Sequence, residues 1–176
     1  MQTDNLRIRA THPLISPAVL EEDLPLTEAA GALVTGARET VRQTLSGEDP
    51  RLLVVVGPCS IHDPAAAEEY AARLAVLADE VAEQIYCVMR VYFEKPRSVV
   101  GWKGLINDPD LDGCNRINRG LRLARQVLLT VNEAGLAAAT EFLDTTFGQY
   151  YTDLVSWGAI GARTVESQIH RELASG

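Results

Sequence analysis

Short apolar runs alternate with amphipathic segments through most of this chain. The first run is RLLVVV at 51–56, and three more follow at 85–93, 136–143 and 159–163. Apolar residues at helical spacing lie between the runs. Strands that are separated by helices pair in parallel through right-handed crossovers. The alternation therefore predicts an α/β fold built on a parallel sheet.

Caps and apolar spacing set the predicted helices. The first begins at Thr27 and ends at Gly47. A second predicted helix begins at Asp63, and a third begins near Asn118. A short helix is predicted over about 147–157, and the last one runs from about Glu166 to the last residue. Residues 94–117 are predicted to be a long polar loop. Residues 1–26 contain three prolines and no sustained period, so we expect an extended arm or loop there.

Two architectures accommodate four βα units: an open doubly wound sheet and part of a (β/α)8 barrel. The first strand is not followed by GxGxxG, which lowers support for a dinucleotide-binding open sheet. A complete barrel takes about 250 residues, whereas this chain has 176. We predict about the first four βα units of a (β/α)8 TIM barrel at 50–176, preceded by an N-terminal helical extension at 1–49.

The composition argues against several classes of protein. A net charge of −8 disfavours nucleic acid and anionic lipid as partners. No apolar run approaches the roughly 20 residues of a membrane span, and the N-terminus lacks the apolar core of a signal peptide. The three cysteines are far apart and form no CxxC pair, which disfavours a disulfide scaffold and a structural zinc site. We expect a cytoplasmic protein.

Polar side chains are predicted at the carboxyl ends of all four strands. They are Cys59, Arg90, Glu141 and Arg163, with Lys95 and Arg97 in the loop after the second strand. Loops converge at this edge in either architecture, so we expect one site. Arginine forks and lysine ammonium groups bind phosphate and carboxylate. The predicted ligand is therefore a molecule with more than one anionic group.

Each of these side chains also has a structural interpretation. Cys59 could be a small buried hydrophobe, a nucleophile paired with His62, or a metal ligand. Arg90 could form a structural salt bridge with Glu141. The two cations in the loop, taken singly, could be exposed solubilising charges. The residues alone leave these alternatives open.

Several segments together resemble the class I 3-deoxy-D-arabino-heptulosonate 7-phosphate (DAHP) synthases. The resemblance runs in register from about residue 27 to the end of the chain. GPCS alone would be a weak motif, but EKPR followed by GWKGL and GARTVESQ is highly specific. The segments are GPCSIHDP (57–64), MRVYFEKPRS (89–98), GWKGLINDP (101–109), TEFLD (140–144) and SWGAIGARTVESQIHRELASG (156–176).

The resemblance implies a metal-dependent transferase. Its reaction condenses phosphoenolpyruvate with D-erythrose 4-phosphate to give DAHP and phosphate. This is the first step of the shikimate pathway, which leads to chorismate and the aromatic amino acids. The implied cofactor is a divalent metal: Mn, Fe, Co or Zn. A sister family that uses arabinose 5-phosphate departs from KPR[ST], so the KPRS sequence favours the four-carbon sugar.

The resemblance also implies roles for individual residues. Cys59 matches the family's metal-binding cysteine. The phosphoenolpyruvate-binding cations match Arg90, Lys95 and Arg163, of which Arg90 and Lys95 are the candidate catalytic residues. The same pocket would be lined by Glu141, Gly161 and Ala162. Arg97 and Ser98 match the erythrose 4-phosphate side.

In the family, the metal is completed by a histidine, a glutamate and an aspartate from later strands that this chain lacks. We therefore expect the chain alone to be inactive, poorly soluble, or dependent on a partner that supplies the second half, and the full-length enzyme to be a homo-oligomer. The alternative is a non-catalytic regulatory or assembly fragment that binds an aromatic amino acid near 145–151. The segment from 147 onward most resembles the tryptophan-sensitive type.

Overall fold

The computed structural model describes residues 3–8 and 10–175. Three residues of the predicted arm (Met1, Gln2 and Arg9) and one of the predicted last helix (Gly176) lie outside the described residues. The elements in chain order are α1 (Pro17–Asp23), α2 (Glu28–Ser46), β1 (Leu52–Val56), α3 (Pro64–Glu80), β2 (Ile85–Arg90), α4 (Ile117–Glu133), β3 (Ala137–Phe142), β4 (Trp157–Ile160) and α5 (Gln168–Ser175). Two 3₁₀ turns, Phe147–Tyr150 and Thr152–Leu154, separate β3 from β4. The predicted alternation of strands and helices is confirmed except between β3 and β4, where these turns replace the predicted helix.

The four strands form one parallel sheet in the order β1-β2-β3-β4. Val56 lies beside Met89, and Arg90 lies beside Ala139. The carboxyl ends of the strands therefore meet at one edge, which we call the rim. Within the part of the chain that the structure describes, no strand pairs with the outer edge of β1 or of β4. The sheet is thus an α/β half-barrel with two open edges.

Side chains along a strand alternate between the two faces of the sheet. Helices cover these two faces unequally. Both α3 and α4 pack on one side, in a cluster that includes Ala71, Leu128, Met89 and Ala138. The other side carries a smaller cluster, in which α2 contributes: Ala37, Val41, Val88, Ala137 and Ala139. Val55 of the outer strand β1 remains 39% exposed. One face is therefore well covered and the other only in part.

Local signals account for the helix ends that the sequence predicted. Thr27 Oγ1 accepts a hydrogen bond from Ala30 N at 3.2 Å, which caps α2. Gly47 ends α2 with a φ of 80°, a conformation that glycine adopts without strain. Asp63 Oδ1 accepts from Ala65 N at 2.9 Å and begins α3. No helix among the described residues is long and apolar enough to cross a membrane.

The prediction of an arm or loop over 1–26 is wrong for α1. Ser16 caps this helix by accepting a hydrogen bond from Val19 N, and Pro17 occupies its first turn, where no amide donor is needed. Leu20 is fully buried in the main core. The helix is too short to be stable alone, so its packing through Leu20 decides the conformation.

The predicted second strand, 85–93, is also too long. β2 ends at Arg90: Val91 N still donates to Ala139 O of β3 at 2.7 Å, but the following carbonyl bonds to the loop after β1. The Tyr92 carbonyl accepts from Ile61 N at 2.8 Å and from Ser60 Oγ at 3.1 Å. β1 is one residue shorter than the predicted 51–56, and β3 is two residues shorter than the predicted 136–143.

The predictions between 147 and 163 are wrong in their bounds. Two 3₁₀ turns replace the predicted helix over 147–157, and β4 begins at Trp157. Ser156 N donates to Ala138 O at 2.9 Å, which brings the chain into the sheet earlier than predicted. Because β4 ends at Ile160, Arg163 lies in the turn beyond the strand and not at its end. The last helix begins at Gln168, two residues later than predicted.

Candidate functional site

Three of the predicted site residues meet at the rim between β1 and β2. Lys95 Nζ donates to Cys59 Sγ at 3.0 Å. Arg90 Nη2 donates to the Cys59 carbonyl oxygen at 3.3 Å. The loop after β1, the last residue of β2 and the loop after β2 thus bring a thiol and two cations together, as the positions at the strand ends predicted.

The electrostatics of this group favour the thiolate of Cys59. The hydrogen bond from Lys95 and its positive charge lower the pKa of the Cys59 thiol, and Arg90 and Arg97 lower it further. The side chain is exposed. Among the described residues, the hydrogen-bonding partner of the sulfur is the Lys95 ammonium and not His62. The arrangement is that of a stabilised thiolate, and the nucleophile–base pair with His62 is not formed.

Arg90 is held by contacts that leave much of its bonding capacity unused. Its guanidinium lies 3.8 Å from the centre of the Tyr92 ring, a cation–π contact. Its Nε is buried without a hydrogen-bond partner. Among the described residues it forms no ion pair with Glu141 within 4.0 Å, so the salt-bridge interpretation is wrong. Tyr92 was missed by the sequence analysis, although its spacing of two residues from Arg90 was the available signal.

The loop with the KPRS sequence is closed at its base and exposed at its tip. Lys95 N donates to Lys103 O at 2.9 Å, and Arg97 N donates to Lys95 O at 2.7 Å. The side chains of Arg97 and Ser98 are exposed. The charge of Arg97 acts on Cys59, whereas Ser98 is not brought into contact with the other rim residues within the described part of the chain.

A second group forms where β3 and β4 reach the rim. Glu141 Oε1 lies so close to the backbone of Gly161 that a Cβ at this position would overlap it, and the end of the Glu141 side chain would have to move. Thr164 closes the turn by donating from its N and its Oγ1 to Gly161 O, at 2.9 and 3.0 Å. Ala162 and Arg163 are exposed in this turn. Arg163 forms no hydrogen bond or ion pair with another rim residue that the structure describes.

Tyr92 lies between the two groups. Burial raises the pKa of its hydroxyl, the charge of Arg90 lowers it, and the charge of Glu141 raises it. Both charges therefore act on one phenol. The structure brings Cys59, Arg90, Lys95 and Glu141 into one neighbourhood, whereas none of the contacts described above connects Arg163 to it.

One acidic side chain beneath the rim was not assigned a role by the sequence analysis. Glu94 is only 8% exposed. Burial, and the charges of Asp144 and Glu141, raise the pKa of its carboxyl group to about 7. The available signal was a single acid in a run of cations between Arg90 and Lys103, but burial could not be inferred from it.

Comparison with known proteins decides the family. A family model described as the DAHP synthetase I family matches residues 23–176. The chain belongs to this family. It is 59% identical over 175 residues to the Phe-sensitive phospho-2-dehydro-3-deoxyheptonate aldolase of Escherichia coli K12, and 57% identical over 174 residues to the Trp-sensitive aldolase of the same strain. Each alignment covers 99% of this chain and 50% of the relative.

A solved structure gives the same result. The phospho-2-dehydro-3-deoxyheptonate aldolase of Francisella tularensis SCHU S4 superposes with a TM-score of 0.92 at 54% identity. The match covers 96% of this chain and 50% of that one. This member of the DAHP synthetase I family thus spans about half the length of the relatives it matches. The similar identities to the Phe-sensitive and Trp-sensitive aldolases do not separate the two types.

The residues that the structure describes do not by themselves fit a divalent metal. They contain no group of three or more His, Cys, Asp or Glu side chains placed to hold an ion. Cys59 is a single candidate ligand, and its sulfur already contacts the Lys95 ammonium. One thiolate is fewer than the three protein ligands that catalytic zinc sites use.

Proposed function

We propose that this chain supplies the phosphoenolpyruvate-binding half of a DAHP synthase. The observation that carries the proposal is the rim group, in which Lys95 contacts Cys59 and Arg90 keeps unused donors. Family membership supplies the reaction: phosphoenolpyruvate and D-erythrose 4-phosphate give DAHP and phosphate, at the start of the shikimate pathway. The complete enzyme would close the half-barrel into a (β/α)8 barrel.

The cations have distinct tasks in this proposal. Arg90, Lys95 and Arg163 bind the phosphate and carboxylate of phosphoenolpyruvate. A guanidinium with free donors can bind an oxyanion in a bidentate way. Arg90 suits this task because Tyr92 orients its plane while its Nε lacks a partner. Arg97 and Ser98, at the tip of the loop, bind erythrose 4-phosphate, and Glu141, Gly161 and Ala162 line the pocket.

In the reaction, the methylene carbon C3 of phosphoenolpyruvate forms a bond to the aldehyde carbon of the sugar, whose oxygen takes up a proton. Water adds at C2, the carbon that bears the phosphate, and phosphate leaves with cleavage of the C2–O bond, which gives the ketone of DAHP. Fixed cations stabilise the charge that develops. Lys95 and Arg90 are the proposed catalytic residues, because both reach the rim where the reacting carbons would lie.

A divalent metal is part of the proposal for the complete enzyme, with Cys59 as one ligand. The other ligands would come from protein that these 176 residues do not include. We therefore propose that the isolated chain is inactive and needs the second half of the barrel. A homo-oligomer is proposed for the full-length enzyme.

Calorimetry with phosphoenolpyruvate tests the binding half of the proposal. We expect the chain to bind phosphoenolpyruvate, and Lys95→Met to weaken binding by about tenfold or more, because a charge-assisted hydrogen bond contributes about 1.5–3 kcal/mol. Lys103→Met, at the other side of the loop base, is the matched control and should change binding little. Binding that is equal in both variants would refute the role of Lys95.

Turnover tests the other half. With Mn²⁺ and both substrates, the isolated chain should consume no phosphoenolpyruvate above the background without sugar. Consumption that requires erythrose 4-phosphate would show that the second half is not needed.

A second candidate function is binding of an aromatic amino acid, as in a regulatory fragment. A groove of about 630 Å³ lies beside the predicted region 145–151, with Gln149 and Thr152 on one wall and Leu173 of α5 on another. Ser156 also lines it, and its hydroxyl is buried without a partner. Such a volume is in the range of small-molecule sites. Calorimetry with tryptophan, tyrosine and phenylalanine tests this function, and the absence of heat with all three would exclude it.

A further inference from the structure

Glu94 lies where the loop with Lys95 and Arg97 leaves the sheet. Its backbone forms an antiparallel bridge with Gly104. Gly104 has a φ of 111°, and a Cβ there would overlap the Phe93 carbonyl, so this side of the base requires glycine. Together with the bond from Lys95 N to Lys103 O, the bridge closes the base of the loop. The position of Glu94 therefore determines where the loop begins.

The side chain of Glu94 connects this base to a different strand. Its Oε2 accepts a hydrogen bond from Asp144 N at 3.3 Å. The carboxylate of Asp144 is occupied by the turn that follows, since Oδ1 accepts from Thr146 N at 2.7 Å and from Phe147 N at 3.3 Å. The backbone amide of Asp144 takes no part in that turn and donates to Glu94. One buried carboxyl group joins the loop after β2 to the turn after β3.

The surroundings of Glu94 contain acids and a phenol. Burial raises the pKa of Glu94, and the charges of Asp144 in the turn after β3 and of Glu141 in β3 raise it further. Burial also raises the pKa of the Tyr151 hydroxyl, and the charge of Glu94 in turn raises it further. His170 of α5 bonds to the neighbouring Leu143 carbonyl through Nε2, at 2.8 Å. Lys95, the next residue along, donates to Cys59 instead. Glu94 forms no ion pair among the described residues, so its carboxyl group is held mainly by backbone amides.

We propose that Glu94 is a positioning residue for the substrate loop: by binding the backbone of Asp144, it fixes the start of the loop that carries Lys95 and Arg97 against the turn after β3. The assignment rests on the proposed function, in which both cations bind substrate. Apart from this bond, the loop contacts the segment after β1 through Lys95 and Cys59, and the β3 turn contacts α5 through Leu143 and His170. Loss of the carboxyl group should therefore loosen the loop while the helices remain folded.

Protonation supplies a readout that an inert packing residue would lack. The pKa of Glu94 is about 7 in the folded chain against an ordinary 4.5. A group whose pKa is raised on folding contributes stability below its unfolded pKa and loses this contribution as pH rises through the folded pKa. Opening of the loop should therefore become easier as the pH rises from 4.5 through about 7, by up to roughly 300-fold.

Amide hydrogen exchange of the 176-residue chain tests the proposal without substrate. In Glu94→Ala, protection of the Lys95, Arg97 and Asp144 amides should fall by about tenfold or more, while Leu128 in α4 stays protected. Glu94→Gln keeps a carbonyl acceptor, so it should restore protection. Its protection factors should be the same at pH 5 and pH 8, unlike those of the wild type. Glu68→Gln, on the exposed surface of α3, is the control for loss of charge.

Unchanged loop protection in Glu94→Ala would overturn the proposal. If Glu94→Ala does not fold, the comparison of Glu94→Gln with wild type decides: an equal dependence on pH would overturn it as well. Failure of the proposed function is seen separately, as absence of phosphoenolpyruvate binding by the wild-type chain, because the exchange experiment contains no substrate.

Discussion

Arg125 and Arg90 differ in how their guanidinium groups are bonded. Arg125 is fully buried in α4, and its donors are used by both oxygens of Asp153, by Leu24 O and by Tyr150 O. Arg90 is partly buried at the rim, with one hydrogen bond of 3.3 Å, a ring beneath it and an unpartnered Nε. The first arginine joins three segments of the chain, whereas the second keeps donors available.

Under the proposed function, the difference separates a structural cation from a binding cation. A buried charge is tolerated where a partner charge and hydrogen bonds compensate its desolvation, which is the situation of Arg125. A guanidinium with an unsatisfied buried nitrogen is less stable than it could be, so the contacts of Arg90 serve folding less fully than those of Arg125. The comparison predicts that substitution of Arg125 acts on folding and substitution of Arg90 acts on ligand binding.

The largest effect is expected for Arg125→Met. This change leaves the carboxylate of Asp153 and the carbonyls of Leu24 and Tyr150 without their donor. We expect the free energy of unfolding in urea to fall by about 3–5 kcal/mol. Arg122→Met is the control, because Arg122 pairs with Asp23 at the surface and should contribute less than about 1 kcal/mol. Equal destabilisation by the two changes would remove the distinction between them.

A smaller effect is expected for Arg90→Met, and on a different quantity. The free energy of unfolding should change by about 1 kcal/mol or less, since the main loss is a cation–π contact. The dissociation constant for phosphoenolpyruvate, measured by calorimetry, should rise by about 10- to 100-fold. Arg163→Met should weaken binding less, because Arg163 is exposed in a turn beside the outer strand β4. A larger effect at Arg163 than at Arg90 would contradict the placement of the site between β1 and β2.

Much of the fold could be predicted because its signals are local. The RLLVVV run and the Asp63–Pro64 helix start identify β1 and α3 without tertiary information. The misses depend on distant contacts. α1 is stabilised through buried Leu20, and the start of β4 follows from the bond between Ser156 and Ala138. Such pairings are not encoded in the spacing of apolar residues.

The candidate site divides in the same way. Strand ends predicted that Cys59, Arg90 and Lys95 would meet, since parallel strands bring their carboxyl ends to one edge. The stacking of Tyr92 and the burial of Glu94 depend on how the loops fold back, and no local pattern specifies this. The bond between Lys95 and Cys59 is likewise a result of tertiary structure, because 36 residues separate the two.

The smallest effect is expected in the reactivity of the thiols, which sharpens the description of the rim. Cys59 and Cys114 are both exposed, but Lys95 lowers the pKa of Cys59 whereas the carboxylate of Asp112 raises that of Cys114. Because the thiolate is the nucleophile, iodoacetamide at pH 7.5 should modify Cys59 first, as followed by mass spectrometry. Lys95→Met should slow the reaction of Cys59 severalfold, because loss of the ammonium group raises the pKa of the thiol and leaves less thiolate.

Lys103→Met is the matched control for the thiol experiment, because it removes an ammonium group from the same loop without touching the sulfur. It should leave the rate at Cys59 within about twofold of wild type, and both variants should leave Cys114 unchanged. If Lys95→Met and wild type react at the same rate, the lysine does not hold the thiolate. Lys95 would then be free of Cys59, and only the bond from Arg90 to the Cys59 carbonyl would connect a cation of the rim to this residue.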